Sequence, residues 1–270
     1  MKKCVRNKNN IESVWDKVYK NYKEPDIKNK YIYSKLIKVL EKYIKQGDSI
    51  LEAGCGSGYV VSYFQNKGHY SAGLDLNSQP LKVAKKVFGA KNLIKGNIFN
   101  LPLKNSSFDI VWNEGVLEHF KIDKSIEAVK EMARVSKKYV IIDVPNRYNL
   151  YVITKILQKV VGRWPYGYEE SYSIGRLRYL MEKAGLEIVG AHGVFLAPPM
   201  HIWKDRKSIM ALLFLVIPLS ERAMTRVLNT IGKIEDNHPA VTKFLGYHLV
   251  MVGRVGSKRN IKYKKFKTLK

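Results

Sequence analysis

The chain has 270 residues, of which 46% are hydrophobic and 26% charged, so it can build one large α/β domain with appendages, and disorder over most of its length is excluded. Two cysteines, Cys4 and Cys55, exclude a disulfide-rich secreted scaffold. The net charge of +25 either attracts RNA, DNA or anionic lipid, or only reflects a lysine-rich composition.

Short apolar runs alternate with amphipathic segments through the middle of the chain. We expect strands at 48–53, 69–76, 92–95, 108–113, 138–144, 186–195 and 247–255, and helices near 59–67, 78–88, 122–136 and 173–184. Strands that alternate with helices form parallel sheets with helices on both faces. The pattern therefore predicts a doubly wound, Rossmann-like α/β fold.

The remaining segments set the predicted domain boundaries. Residues 1–45 are expected to form a helical N-terminal extension, 46–256 the main domain, and 257–270 a basic tail without acids. Two insertions, 147–172 and 197–240, follow the fifth and sixth strands. Doubly wound folds bind ligands beyond the carboxyl ends of their strands, so we expect both insertions to cover the substrate.

Both insertions combine apolar and aromatic residues. The first carries six aromatic residues around an amphipathic helix, which would cover an acceptor or simply pack on the sheet. The expected apolar side of this helix is Leu150, Ile153, Leu157, Val160 and Val161, with Lys155 and Lys159 pointing elsewhere. In the second, the run Ile209–Ile217 is too short to span a bilayer. It fits an interfacial helix at an anionic membrane, a lid helix or a dimer contact.

The strongest local signal is LEAGCGSG at 51–58, where an apolar strand runs into glycines. Glycine lets the backbone turn sharply into a helix and approach a ligand closely. The spacing is GxGxG, which matches neither the dinucleotide fingerprint GxGxxG nor the phosphate loop GxxxxGK. Glu52 would repel a pyrophosphate, so an unphosphorylated ligand with a charged amino-acid end fits better.

Polar residues follow the next strands at the same edge of the predicted sheet. Asp75 ends the second strand, where a carboxylate can accept both hydroxyls of a ribose. Asn97 follows the third strand and is placed to bond an adenine edge, with Leu76 and Ile98 on the two faces of the ring. Asn113, at the end of the fourth strand, is the next point of access to a ligand.

Four segments resemble, in order, the motifs of class I S-adenosylmethionine-dependent methyltransferases: LEAGCGSG, GLDL, KGNIFNLPLKNSSFDIVWNEGVLEHF and KYVIIDVPN. The resemblance covers about residues 46–196 and the last strand, and it favours the branch that contains ubiquinone/menaquinone-type methyltransferases. It implies a seven-stranded, mostly parallel sheet whose last strand is antiparallel. It also implies S-adenosylmethionine as the cofactor.

The same resemblance implies roles for individual residues. Glu52 and the loop of Gly54, Gly56 and Gly58 would hold the methionine portion of the cofactor, and Asp75 its ribose. Asn97 stands where the family more often has aspartate. Its amide carbonyl can still accept a hydrogen bond from the adenine amino group, with less charge assistance.

His119, in the sequence Leu117–Phe120 after the fourth strand, is the residue we expect to act as a general base if the acceptor must lose a proton. The structural alternative is that it orients a loop or caps a helix.

The fourth strand is followed by WNEG and not by a DPPY- or NPPY-like tetrad, which disfavours methylation of the adenine amino group. No cysteine follows the fourth or fifth strand, so the covalent route of cytosine methylation lacks its nucleophile. No set of metal ligands is expected.

Three functions remain open at this point. The leading one is a methyltransferase for a small, hydrophobic or lipid-linked acceptor, with an anionic membrane surface as a partner. The second is an RNA methyltransferase that uses the basic surface and tail, although no recognisable RNA-binding module is present. The third is a cofactor-binding regulator without turnover. With no apolar signal-peptide region or membrane span, we expect a cytoplasmic protein, in part peripheral at the membrane. The oligomeric state stays open.

Overall fold

The computed structural model describes residues 14–20, 22, 27–149, 151–164, 166–196 and 221–256. The predicted interfacial run Ile209–Ile217 and the predicted tail 257–270 lie outside these residues. Within them, no helix is both long enough and apolar enough to cross a membrane.

Sixteen helices and strands follow one another in these residues, largely as the alternation predicts. They are α1 (14–20), α2 (Ile27–Glu41), β1 (Ile50–Ala53), α3 (Tyr59–Asn66), β2 (Ser71–Asp75), α4 (Ser78–Phe88), β3 (Leu93–Lys95), β4 (Phe108–Glu114), α5 (Ile122–Val135), β5 (Ser136–Pro145), α6 (Tyr151–Val160), α7 (Ile174–Lys183), β6 (Glu187–Val194), α8 (Glu221–Asn237), α9 (Pro239–Leu245) and β7 (His248–Arg254). A short 3₁₀ turn, Leu117–His119, lies between β4 and α5.

The seven strands form one sheet in the order β3-β2-β1-β4-β5-β7-β6. The first five strands pair in parallel, and β7 pairs antiparallel with both β5 and β6. The predicted doubly wound fold with an antiparallel last strand is therefore confirmed. The strand order reverses beside β1, and this is where doubly wound folds open a crevice for a ligand.

Helices cover both faces of the sheet because its central strands are apolar on both sides. On one face, α5 and α7 contribute Met132 and Leu180 to a core that includes Val111 and Ile142. On the other face, α2, α3 and α8 pack over the remaining side chains of the same strands. Trp112, which is 1% exposed, is the largest buried side chain of that face. The sheet is thus a rigid support for whatever its carboxyl edge presents.

The strand register places polar residues of three strands on one face, at the carboxyl edge. Glu114 of β4 pairs with Asp143 of β5, which in turn pairs with Val250 of β7. His248 lies two residues before Val250 and therefore on the same face. Three strands that are far apart in the sequence thereby bring two carboxyl groups and an imidazole together.

The helix of the first insertion has the opposite orientation from the one predicted. Lys155 is only 5% exposed, and its ammonium group lies 3.0 Å from Oε1 of Glu169 and also contacts Ser171. The predicted inward residues Ile153 and Val160 are 56% and 78% exposed. The prediction of the buried side was wrong because a buried ion pair, formed with a segment after the helix, fixes which side of α6 faces inward.

Candidate functional site

A cavity of about 310 Å³ opens at the carboxyl edge of the sheet, beside the reversal of strand order. Its walls come from the loops after the first four strands, from the start of β7 and from the N-terminal helices. Eight of the ten predicted site residues line it: Glu52, Gly54, Gly56, Asp75, Leu76, Asn97, Ile98 and His119. Its size is typical of sites for small organic ligands.

The glycine loop forms the floor of the cavity near β1. Gly54, Gly56 and Gly58 have φ angles of 87°, 49° and 68°, a backbone conformation that strains other residues. A Cβ atom on Gly56 would lie 2.3 Å from the hydroxyl oxygen of Tyr19, so the loop leaves room for the side chain above it. Gly58 does not line the cavity. Its missing Cβ atom instead lets Ala84 of α4 approach closely. Its role in this structure is helix packing.

Glu52 lies at the end of β1, is 4% exposed and lines the cavity. Its Oε2 atom is buried and has no hydrogen-bond partner among the described residues. Burial, with the nearby Glu114 and Asp75 carboxyl groups, holds the pKa of Glu52 well above its usual value. A buried carboxyl oxygen without a partner is costly, so a positively charged ligand group at this position would stabilise it.

Asp75 lies at the end of β2 and connects the two loops around the cavity. Its Oδ2 atom accepts a hydrogen bond from the Gly56 N–H at 3.0 Å, and Oδ1 accepts one from the Asn77 N–H at 2.9 Å. Each carboxylate oxygen can accept more than one hydrogen bond, so both keep capacity for ligand hydroxyls. Burial raises the pKa of Asp75, although these two hydrogen bonds oppose the shift.

Asn97, Leu76 and Ile98 lie next to one another along the cavity wall beyond β2 and β3. The Asn97 Oδ1 atom accepts a hydrogen bond from the Phe99 N–H at 3.0 Å, which fixes the orientation of the amide. Leu76 is 40% exposed and Ile98 is 7% exposed. This wall offers apolar surface for a flat ring and one amide at its rim, as the adenine prediction requires.

Asn113 is not among the residues that line the cavity. Its side chain is fully buried, and its Nδ2 donates to the Ala53 carbonyl oxygen. It therefore ties the end of β4 to the end of β1 beneath Gly54. In this structure Asn113 positions the loop, and a direct contact with the ligand stays a prediction.

His119 lies in the 3₁₀ turn after β4 and forms part of the cavity wall. Its Nδ1 lies 2.9 Å from the Tyr168 carbonyl oxygen, and because a carbonyl only accepts, Nδ1 carries the hydrogen. The lone pair of the neutral ring is then on Nε2. Burial lowers the pKa of His119, which keeps the ring neutral near pH 7. A neutral imidazole with a free lone pair is the form that a general base needs.

A second polar group, two of whose residues line the cavity, was missed by sequence reasoning. The Nδ1 atom of His248 donates to Oδ2 of Asp143 at 2.5 Å, and one atom each of Glu114, Asp143 and His248 lies within 4.8 Å of the other two. Asp143 and Glu114 raise the pKa of His248 to about 9, and burial with Asp143 nearby raises that of Glu114 to about 8. The imidazolium therefore supplies the positive charge that the buried carboxyl groups need.

Aromatic side chains of the N-terminal extension cover the cavity, which the sequence did not indicate. Trp15 and Tyr19 of α1 line it, with ring centroids 6.3 Å apart. Trp15 packs edge-on against His119 at 5.4 Å and stacks on Tyr166 of the first insertion at 5.9 Å. Two segments 150 residues apart thus meet above His119. The alternation of polar and aromatic residues in α1 carries no signal of this contact.

The titratable residues that line the cavity are mostly acidic, although the chain is basic. Three carboxyl groups line the cavity, those of Glu52, Asp75 and Glu114, and none of the described residues that line it is lysine or arginine. The whole chain nevertheless carries a net charge of +25. A small ligand with positive charge would stabilise the ionised form of these carboxyl groups, whereas a phosphate would disfavour it.

Comparisons with known proteins agree with this geometry. A family described as a methyltransferase domain matches residues 51–142. An uncharacterised protein from Methanocaldococcus jannaschii is 33% identical over 57% of this chain and 59% of its own length. A Mycolicibacterium smegmatis protein named "probable S-adenosylmethionine-dependent methyltransferase" is 29% identical over 55% of this chain and 56% of its own length. The chain thus spans less than two thirds of these curated relatives.

The solved structure of an S-adenosylmethionine-dependent methyltransferase from Thermotoga maritima covers 91% of this chain and 100% of its own, with a TM-score of 0.62 and 18% identity. That likeness shows a shared fold. The matched methyltransferase domain and the relatives add that residues 51–142 are similar in sequence to S-adenosylmethionine-dependent methyltransferases. The narrower ubiquinone/menaquinone-type branch stays a prediction.

S-adenosylmethionine is accordingly the cofactor, and the cavity fits it. The cofactor carries a positively charged sulfonium and an amino-acid end, and the buried Oε2 of Glu52 offers an unpaired acceptor for such a group. The absence of a Cβ atom on Gly54 and Gly56 lets Val116 and Tyr19 pack closely against the loop, whose backbone lines the cavity. Asp75 keeps acceptor capacity for a ribose, as described above.

Proposed function

We propose that this chain transfers a methyl group from S-adenosylmethionine to a small, hydrophobic acceptor. The observation that carries the proposal is the division of one cavity into two ends. One end has the glycine loop, Glu52 and Asp75, and the other has His119 under the aromatic side chains of Trp15 and Tyr166. The first end suits the cofactor, and the second an apolar group with a dissociable proton.

When bound, the cofactor supplies an electrophilic methyl group on a good leaving group, so the protein mainly aligns the nucleophile and excludes water. Asp75 and the glycine loop would fix the cofactor along β1 and β2. Asn113 would keep the loop in register with β4, because it binds the Ala53 carbonyl oxygen. Trp15 and Tyr19 would exclude water from above.

His119 would accept the proton of the acceptor at Nε2, since the Tyr168 carbonyl holds the hydrogen on Nδ1. The positive charge that then develops on the ring lies in a cavity lined by carboxyl groups, which stabilise it. His248 also lines the cavity, and its pKa of about 9 beside Asp143 means that it already holds its proton near pH 7. It is therefore suited to orient the polar group of an acceptor and less suited to take its proton.

RNA is the second acceptor class, and one observation favours it: the net charge of +25. The acidic, aromatic-covered cavity argues against a phosphate chain entering the site itself. We therefore rank RNA below a small acceptor, and a regulator without turnover below both. A cytoplasmic location remains an expectation from the sequence.

The deciding experiment uses S-adenosylmethionine with a tritiated methyl group. The full-length protein is incubated with an extract that is afterwards separated into lipid, RNA and small-molecule fractions, with His119→Ala as the control. We expect label in the lipid or small-molecule fraction, strongly reduced with the control. Label confined to the RNA fraction would show that the acceptor is RNA and not a small molecule. Binding of the cofactor without any transfer would support a regulator.

A further inference from the structure

The outward side of α6 is apolar, which is the reverse of an ordinary surface helix. Ile153, Ile156 and Val160 recur at helical spacing and are 56%, 54% and 78% exposed. The inward side of the helix carries Lys155, which is held by Glu169. Exposing these apolar side chains to water costs free energy, so an exposed apolar patch of this kind indicates a binding partner with an apolar surface.

A second exposed apolar group lies on α9, which ends near the start of α6. Val241, Phe244 and Leu245 are 45%, 60% and 49% exposed. Asn149, two residues before α6, donates from Nδ2 to the Leu245 carbonyl oxygen at 2.7 Å, so the end of α9 lies next to the start of α6. We call these six residues of α6 and α9 the apolar face.

Along the two segments that carry the apolar face, every charged residue is basic. Residues 147–163 include four basic residues and no acidic one, and residues 238–247 include Lys243 and no acidic one. Arg147, Lys159 and Arg163 are exposed, whereas Lys155 is buried in its ion pair. Apolar side chains surrounded by exposed cations match the boundary between headgroups and acyl chains of an anionic bilayer.

We propose that the apolar face docks on an anionic lipid membrane. A lipid explains both the apolar centre and the basic surroundings, whereas RNA would explain only the cations and needs stacking or phosphate contacts in the centre. The face also leads to the cavity, because Trp164 after α6 contacts Tyr166, which stacks on Trp15. The further suggestion that a lipid-linked acceptor enters there rests on the proposed function.

The test is co-sedimentation of the full chain with vesicles of phosphatidylcholine, with and without phosphatidylglycerol. We expect binding only with phosphatidylglycerol, weakened by salt. The double variant Ile153→Ser/Val160→Ser should bind about tenfold more weakly at an unchanged melting temperature, because both side chains are exposed. The matched control is Tyr70→Ser/Tyr179→Ser, which removes two exposed aromatic residues away from the face and should bind as the wild type does.

Several results would overturn the proposal. Wild-type binding by the Ile153/Val160 variant would show that the face does not contact the bilayer. No vesicle binding, with a lower melting temperature of that variant, would show that the chain itself covers the face. A wild-type dimer that the variant loses would assign the face to a second copy, and RNA binding lost in the variant would assign it to RNA. Methyl transfer is assayed separately in detergent, where no bilayer is present. Transfer without vesicle binding would contradict only the docking proposal, whereas absence of transfer would contradict the proposed function.

Discussion

The two ends of the cavity are built in different ways. The cofactor end comes from a short stretch of sequence, between Glu52 and Ile98, and largely from backbone: glycines in left-handed conformations and N–H groups held by one carboxylate. The proposed acceptor end, around His119, is made of side chains from α1, the turn after β4 and the segment after α6. The matched family domain, 51–142, covers the first end and only His119 and its neighbours at the second.

This difference indicates which amino-acid substitutions each end of the cavity tolerates. Backbone geometry depends on a few glycines and hydrogen bonds, so relatives with little overall identity can keep it. An end made of side chains from distant segments can change its acceptor by single substitutions while the cofactor end remains intact. Substitutions at the two ends should accordingly have separable effects on cofactor affinity and on turnover.

The largest expected effect is on turnover. His119→Ala should lower kcat about 100-fold, because it removes the group that takes the proton, and should change the affinity for S-adenosylmethionine less than about threefold. Rapid-quench or steady-state kinetics with calorimetry of cofactor binding checks both values. His192→Ala is the control, since His192 contacts Tyr43 away from the cavity. Equal losses of turnover and affinity would mean that His119 is structural.

Asp75→Ala should act on the other end. Loss of hydrogen bonds from a charged group costs about 1.5–3 kcal/mol, so cofactor binding should weaken roughly 10- to 100-fold. Calorimetric titration measures the affinity, and circular dichroism confirms that the variant is folded. Asp109→Asn, at the opposite edge of the sheet, should leave the affinity unchanged. An unaltered affinity in folded Asp75→Ala would remove the ribose assignment.

Trp15→Ala tests the aromatic cover of the acceptor end. It removes the contacts with His119 and Tyr166, so the KM for the acceptor should rise about five- to tenfold with a smaller change in cofactor affinity. Tyr70→Ala provides a control at an exposed aromatic residue outside the cavity. If the larger loss falls on the cofactor, α1 belongs to the cofactor end and the division of the cavity is wrong.

The smallest effect concerns pH. The pKa values of Glu114 and Glu118 are both raised to about 8 by burial, and that of His248 to about 9 by Asp143 and Glu114. For each of these groups the folded state holds its proton more tightly than the unfolded state. Their stabilising contribution is present at low pH and is lost as pH rises through 8 to 9.

The melting temperature of the ligand-free chain should therefore fall by a few degrees between pH 5 and 9. Addition of S-adenosylmethionine should raise the melting temperature more at high pH than at low pH. Scanning fluorimetry in matched ionic strength measures this dependence. The variant Glu114→Gln/Glu118→Gln should flatten the profile. A steeper or unchanged profile in that variant would show that other groups control the dependence.

The sequence predicted the sheet and the cofactor end because their determinants are local. Strand alternation and the GxGxG spacing are visible within short windows, and Asp75 and Asn97 follow from where strands end. Sequence reasoning missed Glu114 and His248 because the register of three strands brings them together. It missed Trp15 because its contact with the cavity depends on the position of α1. The buried side of α6 was mispredicted because Lys155 pairs with Glu169, which lies in another segment.

A crystal structure of the full chain with S-adenosylhomocysteine tests the central claim most directly. We expect the adenosine beside Asp75 and Asn97, the amino-acid end at Glu52 and the glycine loop, and the sulfur facing the end of the cavity that holds His119. Ligand bound outside this cavity, or with its adenosine at His119 and His248, would contradict the account.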